Sequence, residues 1–189
     1  MKISFNSPLI LNLTFTSFII LVLDSTILPG LIEFLFVVGP AGSFQWTDPI
    51  DYVRLVSHGL GHGDFAHFFG NFSLILLIGP YLEEKFGTRN LLGMILITLF
   101  ATGVFNVLFF PNGLLGASGI VFMFILLGSF AGAQPGTIPA TFILVVLLYL
   151  GNEVLSLFGP EDGISQTAHL LGGLSGSVFG FLSLNRRKS

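Results

Sequence analysis

Cysteine is absent from the 189 residues. Its absence excludes a disulfide framework, thiolate chemistry and cysteine-ligated metal. Charge is nearly as scarce. Only 9% of residues are Asp, Glu, Lys or Arg, where a soluble domain carries about 25%. A net charge of −3 leaves no basic surface for nucleic acid. The H-E-x-x-H pattern of a zinc protease is missing. His58, His62 and His67 are unsuited to zinc, because "HGLGHGD" is too glycine-rich to hold them on one helix. No metal or cofactor is expected.

What the chain has in abundance is apolar surface. Hydrophobic residues make up 52%, with 22 Phe, and the mean hydropathy is +0.90. This composition predicts an all-α integral membrane protein with a single domain over residues 1–189, in contact with the lipid bilayer. A spanning helix needs about 20 mostly apolar residues. Six segments qualify: 8–24, 65–82, 91–110, 118–133, 137–157 and 166–184. Turn signals separate them, among them "EEKFGTRN", "PNG", "AQPGTIP" and "GPEDGISQ". The first segment lacks a small-x-small cleavage site in "VLDSTILPG", so it reads as an uncleaved span. Residues 25–57 form a long connection whose "LIEFLFVVG" is too short to span and suits the membrane interface. Trp46 suits the headgroup level.

Lys and Arg orient the bundle. With the N-terminus cytoplasmic, six spans return the C-terminus to the cytoplasm. Lys2, Lys85, Arg89, Arg186, Arg187 and Lys188 then lie inside and only Arg54 outside. The expected location is the plasma membrane.

In this topology spans two, four and six descend from the outer face. His67, Ser118 and His169 each stand near the outer start of one of them, roughly 5–8 Å below the surface at 1.5 Å per residue. Ionisable groups at that depth are costly and point to function. Asn71, four residues after His67, shares its helix face. Ser118 follows "NGLLGA", a poor helix start, and a fourth span of 118–133 would be about 24 Å long, short of a ~30 Å core. A dipping loop must complete it, leaving Ser118 at a helix N-terminus whose free N–H groups favour an anion. Glycines 172, 176 and 180 form a small-residue stripe, matched by Gly128 and Gly132 on the fourth span. The stripe predicts close packing of spans four and six.

A serine nucleophile needs a base and an oxyanion site. Ser118, His169 and the His67/Asn71 pair supply these parts. Glu153 and Asp162 are not clearly near His169, so the expectation is a dyad. "GASG" is not the G-x-S-x-G elbow of soluble hydrolases.

Together "RLVSHGLGHGDFAHFFGNF" (54–72), "GASGIVF" (116–122) and "AHLLGGLSG" (168–176) resemble the rhomboid family of intramembrane serine proteases. The resemblance implies that Ser118 is the nucleophile and His169 the general base. It implies that His67, Asn71 and the Ser118 N–H hold the oxyanion, with Gly116, Gly119, Phe122 and Gly172 in support. "GPYLEEKFG" (79–87) looks like a structural connection of the family. The implied substrates are transmembrane proteins, cleaved near the outer face. Phe122 stands where many members have tyrosine, and Val53 where an aromatic is frequent. The alternative is a catalytically silent relative that binds membrane clients, or a small transporter, for which no internal repeat is evident.

Overall fold

The computed structural model describes residues 4–156 and 166–186. Among these the chain is helical, with one isolated bridge between Val38 and Leu114. The turn expected after residue 158 lies outside the described residues up to Gln166, as do Lys2, Arg187 and Lys188.

Among the described residues, four helices are long and apolar enough to cross a membrane. They are α1 (Pro8–Thr26), α4 (Phe65–Phe86), α5 (Thr88–Phe109) and α9 (Gln166–Arg186). Two further apolar helices are shorter. α6 covers Ser118–Gly128, and the fifth segment runs unbroken through α7 (Ala140–Val145), a π turn (Val146–Leu150) and α8 (Gly151–Ser156). The long connection after α1 folds into two short helices, α2 (Leu31–Phe36) and α3 (Pro49–Ser57).

The bundle is apolar outside and polar in places within. Leu77, Ile97, Phe109, Leu148 and Leu155 are exposed, whereas His58, His62, Thr98, Thr102, Asn106 and Glu83 are buried. A surface of this kind suits lipid, since a water-facing protein would reverse the pattern. α6 is the most enclosed element: Ile120, Met123, Phe124, Leu126 and Leu127 are fully buried.

α6 is shorter than the sequence suggests. It ends at Gly128, where the expected segment continued to Ala133. Ser129 Oγ donates to the Leu126 carbonyl, a bond that competes with helix continuation. Eleven residues rise only about 16 Å. The loop 110–117 makes up the depth and is tied along its length. Val38 and Leu114 exchange two backbone bonds of 3.0 and 2.9 Å, Ala41 N–H donates to the Phe110 carbonyl at 2.7 Å, and Gly116 N–H donates to the His58 carbonyl at 3.0 Å. Asn106 Nδ2 donates to the Gly39 and Asn112 carbonyls. Much of the irregular backbone here is therefore tied to protein, as such backbone within a membrane protein must be.

α6 and α9 pack side by side in parallel. A Cβ at Gly172 would strike the Gly119 carbonyl, one at Gly176 the Met123 carbonyl, and one at Gly180 the Phe130 ring. Close packing is as expected, but its partners are not Gly128 and Gly132. Gly128 faces Ile78 of α4, and Gly132 lies beyond the helix end with φ +71°. The register pairs Gly172 with Gly119, so α9 begins about five residues beyond the start of α6 and its first turn overhangs Ser118.

At the opposite end Glu83 supports the frame. Its carboxylate accepts from Leu9 N–H at 3.0 Å, Ile10 N–H at 3.2 Å and Thr88 Oγ1 at 2.7 Å. It therefore caps the free N–H groups at the start of α1.

Candidate active site

Three helix N-termini meet at one end of the bundle. α4 starts after Asp64, whose side chain accepts from His67 N–H at 2.7 Å. That cap places His67 in the first turn. α6 starts at Ser118 with no side-chain cap. The Ser118 N–H has no partner among the described residues, as expected of the first turn of an uncapped helix. α9 starts at Gln166 and carries His169 in its first turn.

The residues named from sequence converge on this end. A Cβ at Gly116 would lie 2.6 Å from His67 Cε1 and Nε2 and 3.5 Å from Asn71 Nδ2. Gly116 has φ +107°, a region that L side chains avoid. The glycine lets the loop pass against the His67 ring on its way to Ser118. His67 and His169 both stand in the first turns of their helices at this end. A Cβ at Gly119 would lie 3.5 Å from the Ala168 carbonyl, the residue before His169. Phe122, one turn into α6 from Ser118, stacks flat on His169 with ring centroids 4.3 Å apart and planes 10° apart. Ser118 is half-buried and His169 buried. No hydrogen bond joins Ser118 to His169 among the described residues. In unliganded sites such bonds are often long and tighten only with substrate.

His62 and His58 form a second layer. His62 Nε2 lies 3.1 Å from Asn71 Nδ2 and accepts from Ala117 N–H at 3.4 Å. Two donors aimed at Nε2 require that it carry the lone pair, which also settles the Asn71 amide orientation. His58 Nε2 faces the Leu99 carbonyl at 3.1 Å and Thr102 Oγ1 at 3.3 Å. Both rings lie outside the spanning helices. Burial pushes His58 down to about 4 and, with the His67 charge added, His62 down to about 4. Both are neutral at physiological pH, as the lone pair on His62 Nε2 requires.

Two roles escaped the sequence. One is His62 as the partner of Asn71. Its spacing was visible, but the loop fold that turns it inward was not. The other is Glu153, whose Oε2 lies 2.9 Å from His169 Nδ1. Its place near the end of the fifth segment was the available signal, and it left the facing undetermined.

Fold and site thus describe a helical integral membrane protein with a serine, a histidine and amide donors gathered at one end of the bundle. The Rhomboid domain family model matches residues 49–186, and the chain belongs to the rhomboid family. It is also similar to RHOMBOID-like protein 4 of Arabidopsis thaliana, at 30% identity over 143 residues. That match covers 70% of this chain and 34% of the relative, so it spans about a third of the relative's length. Rhomboid proteins are generally intramembrane serine proteases acting on membrane proteins within the bilayer.

Proposed function

We propose that this protein is an intramembrane serine endopeptidase that cleaves transmembrane proteins near the outer face of the plasma membrane. The observation that carries the reading is the convergence of Ser118, His169, His67 and Asn71, from three helices, around the Gly116 turn. In this reading the single domain crosses the membrane six times with both termini cytoplasmic. α2 and α3 then lie at the outer interface.

Ser118 Oγ attacks a peptide carbonyl as its proton passes to His169 Nε2. The tetrahedral oxyanion takes hydrogen bonds from His67, Asn71 and the Ser118 N–H, at the positive end of the α6 dipole. His169 returns the proton to the leaving amine. Water from the outer face then hydrolyses the acyl-enzyme, with His169 again as base. Gly119 and Gly172 bring α6 and α9 close enough for Ser118 and His169 to meet, and Phe122 holds the ring. A spanning substrate must unwind locally, so small and helix-weakening residues near the outer face mark the cleavage region.

The test is incubation of the purified protein with transmembrane substrates. Wild type is expected to cleave and to react with a fluorophosphonate probe, and Ser118→Ala to do neither. Equal behaviour of the two proteins would favour a silent, client-binding rhomboid protein instead.

A further inference from the structure

The fifth segment carries a single charged residue between Ala140 and Leu155, and that residue is Glu153. Its carboxylate does not face lipid. Oε2 lies 2.9 Å from His169 Nδ1, with the Glu153 and His169 side chains only 12% and 11% exposed. A carboxylate withdrawn from water at a membrane depth is costly unless it is paired. The pairing is built into the packing around it. Leu150, one turn before Glu153, seats its side chain where a Cβ on Gly173 would stand, and Gly173 is one turn after His169. The π turn and α8 therefore meet one face of α9 through two neighbouring contacts.

The backbone contributes as well. The π turn Val146–Leu150 ends three residues before Glu153. A π turn inserts one residue, which rotates everything after it by about 100° relative to an uninterrupted α-helix. Without it Glu153 would present to a different neighbour. π turns of this kind are frequent at functional sites.

We propose that Glu153 is a positioning residue for His169, so that the reacting group is a Ser118–His169–Glu153 triad and not a dyad. The proposal rests on the reading of Ser118 and His169 as nucleophile and base. A carboxylate on Nδ1 holds the proton there and leaves the lone pair on Nε2, the atom that must take the Ser118 proton. It also stabilises the imidazolium formed in that step. The carboxylate itself takes no proton. The groups packed against the ring are Glu153 from α8 and Phe122 stacked from α6. The Nδ1 to Oε2 contact has the length of an ion pair without the direction of a hydrogen bond.

Glu153→Gln in the full chain tests this, because it keeps the shape and removes the charge. Its amide can also donate to Nδ1 and so favour the wrong tautomer. Two readouts are needed. Histidine-selective 15N NMR, with the His169 signal assigned from its loss in His169→Asn, reports the tautomer directly. Cleavage kinetics report the consequence. Wild type is expected to show Nδ1–H at His169, and Glu153→Gln to show a mixture or the Nε2–H form. The turnover number should fall by at least about tenfold while KM changes less than twofold. An unchanged tautomer overturns the proposal, as does unchanged turnover in an active protein. A drop in melting temperature with the tautomer intact marks a merely structural ion pair and also overturns it. If wild type and Ser118→Ala are equally inert, the protease reading fails, and the NMR result alone still decides whether Glu153 orients His169.

Discussion

Phe122 lies flat on His169, 4.3 Å between centroids and 10° between planes. Tyr149 meets the Phe122 ring edge-on at 6.3 Å. The imidazole is thus held on one face by a ring that offers no hydrogen bond. Stacked aromatic pairs contribute about 0.5–1.5 kcal/mol beyond their buried area. Phe122→Leu should therefore lower turnover by roughly twofold to thirteenfold, as that energy converts, while fluorophosphonate labelling persists at a reduced rate. Labelling at the wild-type rate would show that the stack does not restrain the base.

The His62–Asn71 contact yields a graded prediction. One oxyanion donor is typically worth about 10²–10³ in turnover. Asn71→Ala should cost this much with little change in substrate binding. His62→Leu should cost less, because the amide remains but loses its orienting partner. The two losses should combine less than multiplicatively, since both act through one amide. A double-mutant cycle on turnover measures this. Strict multiplicativity would separate His62 from the site.

Gly116 is strained ground for any other residue. Its φ of +107° and the His67 ring 2.6 Å from a would-be Cβ act together. Gly116→Ala should destabilise by about 1–3 kcal/mol and displace His67. Turnover should fall more than the melting temperature alone would imply. Gly113→Ala is the control, because its Cβ would meet only the Val38 carbonyl at 3.2 Å and a Val37 methyl at 3.3 Å, away from His67. Equal activity losses in the two variants would remove the special role of Gly116.

Acid should loosen the loop region first. His58 and His62 are held neutral, each down at about 4 from an ordinary 6.5. The unfolded chain binds more protons between these values. Their contribution to stability is therefore complete above pH 6.5 and is lost as pH falls towards 4. The slope is at most about 1.4 kcal/mol per pH unit for each histidine. Melting temperatures in detergent from pH 7 to 4 should fall along this window, and His58→Gln/His62→Gln should flatten the fall. An identical acid limb in that variant would place the titration elsewhere.

Much of this protein was determined by the sequence itself, because the signals are local. Hydropathy marks where helices run in a bilayer. Histidines and a serine at the heads of apolar segments stand out because polar groups are costly there. The glycine stripe on α9 announced a close helix neighbour. Tertiary structure decided the rest. The end of α6 at Gly128, and with it the partners of that stripe, depends on how a short helix sits among three longer ones. His62 turns to Asn71 only because the loop 110–117 is pinned beside it. Glu153 reaches His169 through a π turn that adds one residue to the helical register. A rotation of about 100° at that turn moves the carboxylate from one neighbour to another, and no periodicity in the residues before it records the change.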